Sequence, residues 1–224
     1  MTRIVQPPES SIELLTRAYA LAGVTILELA ESLGVILPHK LLHGKGITGQ
    51  LLEQCLGATA QSKAQPDFVH LGIELKTIPV NSLGKPLEST YVCTTPLTYS
   101  ANIQFEESVV YQKIRHVLWV PIITDKKKSL SNRRIGTALL WQPTPDDLAI
   151  LRTDWEEHME QIMLGDLEKI TAHQGVYLQI RPKAANSRAR RLGINSDGNL
   201  ITTLPRGFYL RPQFTQMILQ KNYW

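Results

Sequence analysis

Apolar residues recur along this chain with two different periods, and the switches between them mark out its elements. In "SSIELLTRAYALAG" (10–23), Leu14, Leu15, Ala18, Leu21 and Ala22 form a stripe at helical spacing, and Ser10 and Glu13 stand at capping-box distance. "TILELAESLG" (25–34) repeats the device, with Thr25 as cap, Glu28 three residues on and Gly34 as the stop. A glycine-punctuated loop, "LLHGKGITGQ" (41–50), carries Lys45 and leads into "GQLLEQCLGATA" (49–60), read as a helix with Glu53 inside it. After the polar connection "QSKAQPD", the period shortens to two. "DFVHLGIELKTIPV" (67–80) reads as a strand closed by a turn at "NSLGKP", and "STYVCTTPL", "HVLWVPII" and "TALLW" as further strands rich in β-branched and aromatic residues.

The helical period then returns. "TPDDLAILRTDWEEHMEQIMLG" (144–165) predicts a long helix capped by Thr144, with Pro145 at its first position and acids in its first turn. "DLEKITAH" suggests a shorter one. The remainder alternates "VYLQIRPK", a basic loop, "LITTL", "GFYLRP" and a helical "QFTQMILQK". Strands gathered centrally between helices predict an α/β, mixed α+β layer fold. No internal repeat, low-complexity segment or clear linker interrupts it, so one domain over 1–224 is expected.

Composition changes this picture little; the distribution of charge changes it more. Of the 224 residues, 43% are apolar and 20% charged, an ordinary globular balance. No apolar run approaches the roughly 18 residues a membrane span requires. The N-terminus lacks the apolar core of an export signal, so a cytoplasmic protein with no membrane partner is expected. Cys55 and Cys93, the only cysteines, make neither a disulfide framework nor a zinc site and are expected to be reduced. From residue 181 onward, eight basic residues face one acid, Asp197, a net of +7 against −3 for the first 180 residues. That asymmetry fits a polyanionic partner as well as a solvated basic surface.

The strand at 67–80 carries the candidate chemistry. With side chains alternating, Glu74 and Lys76 share one face while Ile73 and Leu75 point to the other. Asp67 lies ahead, where a turn could bring its carboxylate beside that of Glu74. Two carboxylates and a backbone carbonyl make a hard oxygen site for Mg²⁺, which would relieve their repulsion and help hydrolyse a phosphate ester. Lys76 would orient a water or offset charge on phosphorus. The spacing Asp-x6-Glu-x-Lys also arises by chance, and an exposed ion-pair ladder reads the same residues without chemistry.

Longer stretches decide between them. "LLHGKGITGQLLEQCLGA" (41–58), "GATAQSKAQPDFVHLGIELKTIPVNSLGKPLESTYVCTTPL" (57–97), "HVLWVPI" (116–122), "DWEEHMEQIMLG" (154–165), "YLQIRPKAANSRA" (177–189) and "TLPRGFYLR" (203–211) closely resemble, in order, blocks of the MutH family of DNA mismatch-repair endonucleases. The resemblance implies a type II restriction-endonuclease-like fold: a central mixed sheet flanked by helices, with two lobes forming a DNA-binding cleft. It implies nicking of the unmethylated strand at hemimethylated GATC sites, dependence on Mg²⁺, activation by MutL downstream of MutS, and a monomer. It assigns Asp67 and Glu74 to the metal with the Leu75 carbonyl, Lys76 and Lys113 to catalysis (Arg115 being the substitute for Lys113), and Glu53 to the border of the metal site. Lys45, Arg181, Pro182 and Lys183 match DNA-reading positions, Tyr209 a sensor of adenine methylation, and Tyr91 an aromatic neighbour. "RRLGINSDGN" and "MILQKNYW" match no family pattern. A DNA-binding module without chemistry and a stand-alone GATC restriction nuclease are the alternatives.

Overall fold

The computed structural model describes residues 5–38, 46–60, 64–98, 103–125, 128–183 and 188–223. They form a mixed α+β fold whose chain divides into two compact units. The first comprises 1–88, 115–142 and 216–224, the second 89–114 and 143–215.

Three N-terminal helices open the first unit: α1 (Ser11–Tyr19), α2 (Ile26–Ser32) and α3 (Ile47–Leu56). Thr25 and Glu28 make the expected reciprocal capping box. At α1, Ser10 accepts from the Glu13 N–H, but the Glu13 carboxylate reaches back to the Glu9 N–H at 2.7 Å and pairs with Arg17. Leu14 and Ala18, one turn apart, are buried with Ile26, Leu29, Leu52 and Leu56.

These helices share a core with one face of a mixed sheet built from β1 (Glu74–Val80), β3 (Val117–Ile123), β4 (Arg134–Ile135) and β5 (Leu139–Trp141). β1 runs parallel to β3 with Leu75 beside Leu118 and Lys76 beside Trp119, while β4 and β5 pair antiparallel to β3. Leu75, Leu118, Val120 and Ile122 join the helical core. Pro121 is accommodated inside β3 because β5 pairs with 117–119 and β4 with 122–123, leaving it in the gap between partners.

The expected strand over 67–80 is half that length. Residues Val69–Leu71 form a 3₁₀ turn, and Gly72 turns the backbone with φ +65°, where a side chain would be strained. Phe68 then bridges Ile73, and β1 begins only at Glu74. Among the named strands, β1 lies at the sheet edge, where Pro79 is tolerated.

The second unit holds the antiparallel sheet β2 (Thr90–Thr94), β9 (Arg206–Leu210), β6 (Leu178–Pro182), with β9 central, and a hairpin of β7 (Arg191–Ile194) and β8 (Leu200–Thr203). α5 (Pro145–Met163) packs on β6, starting from the predicted Thr144 cap. α4 (Val109–Ile114) is a short helix that the sequence pattern does not announce, and "DLEKITAH" yields only a 3₁₀ turn, Leu167–Lys169. The basic loop contains β7, whose period-two signal is too short to stand out. α6 (Pro212–Tyr223) begins in the second unit and ends in the first, where the Tyr223 hydroxyl donates to the Thr137 carbonyl. Cys55 and Cys93 are not joined to each other in a disulfide. No helix among the described residues is long and apolar enough to cross a membrane.

Candidate active site and nucleic-acid interface

The tight turn at 69–72 brings Asp67 back onto the start of β1. Its Oδ2 accepts the N–H of Leu75 at 2.8 Å, although Leu75 lies eight positions further along the chain. The Glu74 Oε1 accepts the Lys76 ammonium at 2.7 Å, along one strand face as alternation requires. Asp67, Glu74 and Lys76 are 7%, 4% and 8% exposed, so an exposed ion-pair ladder is excluded. Two carboxyl groups and one ammonium group are thereby held in one buried setting, where charge is costly unless compensated.

That donor set fits a hard divalent cation: carboxylate oxygens from Asp67 and Glu74, with the Leu75 carbonyl next to Glu74 in the chain. Among the described residues, no group of three or more His, Cys, Asp and Glu side chains is gathered closely enough to hold a metal ion. Glu53 is half-buried on α3, the helix that packs on β1. Its carboxylate lies over Gly49, with Oε1 3.7 Å from where a Cβ there would stand. Arg115 is exposed in the same unit, its guanidinium beside Gly72. Lys113 is buried on α4 of the second unit. Lys45 lies outside the described residues.

A second cluster forms on one face of the β2–β9–β6 sheet. Tyr91 and Tyr209 are cross-strand neighbours, their rings 5.3 Å apart and edge to face at 64°. The Arg181 guanidinium lies 5.8 Å from the Tyr209 ring centre, and the Lys183 ammonium 2.7 Å from that of Tyr91. Arg181, Pro182 and Lys183 are all exposed, on and just beyond the end of β6. Cations held on aromatic faces in an accessible patch offer hydrogen-bond donors for base edges together with apolar surface for a methyl group. Ser89, which nothing in the sequence singles out, accepts a hydrogen bond from Arg181 Nη1 at 2.6 Å. Only the pairing of distant strands brings it there.

Beneath this face, the unit is tied together by a buried carboxylate. Asp154 of α5, 2% exposed, accepts the N–H groups of Val176, Tyr177 and Leu178 at 2.7, 2.6 and 2.8 Å. One turn on, His158 Nε2 donates to the Leu178 carbonyl at 3.2 Å, and burial pushes the imidazole below its ordinary pKa. Arg211 donates to the carbonyls of Ala172, Gln174 and Gly175. α5 thereby sets the position of β6, and with it Arg181.

Residues 56–154 match the sequence profile of the family described as DNA mismatch repair enzyme MutH. The chain is 52% identical over 221 residues to the DNA mismatch repair protein MutH of Shewanella sp. (strain W3-18-1), covering 99% of each chain. It is 51% identical over 221 residues to that of Shewanella baltica (strain OS185), again 99% of each, and 51% identical over 215 residues to that of Shewanella oneidensis, 96% of each. Identity at half of all positions, sustained from end to end and including a profile match over the stretch that holds Asp67, Glu74 and Lys76, means that this chain belongs to the MutH family of DNA mismatch repair enzymes.

Proposed function

We propose that this chain is the endonuclease of methyl-directed mismatch repair, nicking the unmethylated strand of hemimethylated GATC duplex with Mg²⁺ as cofactor. The reaction is hydrolysis of one phosphodiester. A water oxygen bonds to phosphorus, one phosphorus–oxygen bond to a sugar breaks, and the departing oxygen takes up a proton. The observation that carries this reading is the buried trio of Asp67, Glu74 and Lys76 at the head of β1.

In this reading Asp67, Glu74 and the Leu75 carbonyl hold the cation, with Glu53 at the border of the site. Mg²⁺, when bound, neutralises charge building on the phosphate and acidifies water. The Leu75 N–H fixes Asp67, so its carboxylate is aimed before DNA arrives. Lys76, held by Glu74, supplies a fixed positive charge toward the attacking water and the phosphate oxygens, with Lys113 as the second catalytic cation. Arg181, Pro182 and Lys183 read GATC, Lys45 supplements them from its loop, and Tyr209, with Tyr91 as its aromatic neighbour, senses whether the adenine carries a methyl group. Both units belong to one DNA-binding domain. MutL activates the enzyme on a signal from MutS, and the protein acts as a monomer in the cytoplasm.

The test is a nicking assay on hemimethylated GATC duplex with each strand labelled separately, with and without MutL and ATP. Cleavage confined to the unmethylated strand, dependent on Mg²⁺ and faster with MutL, is expected. Glu74→Ala should reduce the rate at least 100-fold, a loss of about 3 kcal/mol of transition-state stabilisation. Undiminished nicking by this variant would overturn the metal assignment.

A further inference from the structure

The Tyr91 ring is placed by an irregularity in β2 and by a missing side chain in β9. Tyr91 stands opposite Tyr209, but the next pairs are Cys93 with Phe208 and Thr94 with Gly207, so β2 carries one residue more than β9 at this point. In a regular strand, residues three apart point to opposite faces. The extra residue reverses that parity, and Tyr91 and Thr94 come to share one face with Tyr209 and Gly207. The Tyr91 hydroxyl and the Thr94 hydroxyl lie 3.0 Å apart in a hydrogen bond. The ring therefore lies down along its own strand, over the position opposite Thr94. That position is Gly207.

Glycine weakens the interior of a central strand, so its presence calls for a use of the vacant space. The backbone at Gly207 is not in the left-handed region, and conformational freedom is not the reason. A Cβ there would stand 2.9 Å from Tyr91 Cε2, 3.3 Å from Tyr209 Cε2 and 3.2 Å from the Cys93 carbonyl oxygen. Any side chain at 207 must lift the Tyr91 ring, and with it the edge-to-face contact to Tyr209 and the perch of Lys183.

We infer that Gly207 and Thr94 are positioning residues for methylation discrimination: together they seat the Tyr91 ring at the height from which the Tyr91–Tyr209 pair meets the adenine. This rests on the reading of that pair as the methylation sensor.

The experiment compares Mg²⁺-dependent nicking of unmethylated and fully methylated GATC duplex by the full chain. Gly207→Ala should lower the ratio of the two rates at least tenfold, and Thr94→Val, which removes only the hydroxyl contact, three- to tenfold. In a Tyr91→Ala background neither change should alter the ratio further, because the ring they act through is gone. A ratio within twofold of the parent for Gly207→Ala, or an equal effect with and without Tyr91, would overturn the inference. If Gly207→Ala alone does not fold, the double variant with Tyr91→Ala should; failure of both would place the clash elsewhere and also overturn it. Tyr209→Ala separates the two levels: a ratio it leaves unchanged refutes the sensor reading itself.

Discussion

An exposed charged side chain can select a ligand only when something holds it, and two groups hold Arg181. One is the Tyr209 ring, the other the Ser89 hydroxyl at 2.6 Å. Ser89→Ala deletes the second and leaves the first. A hydrogen bond to a charged group contributes on the order of 1.5–3 kcal/mol when buried and less at an exposed site like this one. The expected outcome is three- to tenfold weaker binding to GATC duplex with binding to a GATC-free duplex unchanged, measured by fluorescence anisotropy on both. Equal weakening on both duplexes would show that Arg181 contacts phosphate only. At this scale the sequence was partly legible. Arg181 and Tyr209 were nameable from their neighbours in the chain, whereas Ser89, Thr94 and Gly207 were not. Their roles come from strand pairing, and no local pattern encodes which residue will lie opposite.

Among the elements, α5 has the largest structural task, because Asp154 satisfies three backbone donors of the turn that enters β6. Asp154→Ala leaves all three without this acceptor, the Leu178 N–H in a buried setting and those of Val176 and Tyr177 partly buried. At about 1–3 kcal/mol each, offset in part by water entry, the loss should be about 3–5 kcal/mol, read as a large drop in the urea midpoint. His158 adds a pH dependence to the same junction. Burial holds its folded pKa below the unfolded value of about 6.5, so the unfolded chain takes up the proton first. Its contribution is complete above that value and is lost as pH falls toward the folded pKa. His116, also held low by burial, acts in the same direction. Unfolding free energies between pH 7.5 and 5 should fall less steeply for His158→Gln than for the parent; identical slopes would show that His158 protonates without penalty. α5 itself was plain in the sequence, its Thr144, Pro145 and Asp147 forming a strong start signal. β7, α4 and the break at Gly72 were not. Each spans six residues or fewer, too short for a period to declare itself, and tertiary contacts decide them.

Over the whole molecule, charge is unevenly distributed, and seven of the eight basic residues from 181 onward lie in the second unit. Arg188, Arg190 and Arg191 are exposed at and before the start of β7. Arg191 pairs with Thr203, two residues before Pro205, whose carbonyl accepts the Lys183 N–H. Arg191 is thereby tied through β8 to the chain that pairs with Lys183, and Arg188 and Arg190 precede it by three residues and one. Replacing all three by Ser should lower the slope of log affinity against log salt by roughly 2–3, at 0.9 per lost phosphate contact, while leaving the preference for GATC intact. The charge asymmetry itself was determined by the sequence, as were the helix starts, the apolar stripes, the family and the Asp-x6-Glu-x-Lys spacing. All of these are properties of residue type and order along one dimension. Tertiary structure alone decided that Asp67 turns back onto β1, that the trio is buried, that a bulge lays Tyr91 across Gly207, and that Ser89 meets Arg181. Those contacts join residues up to 116 positions apart, and their geometry depends on turns and strand registers that the whole packed chain selects.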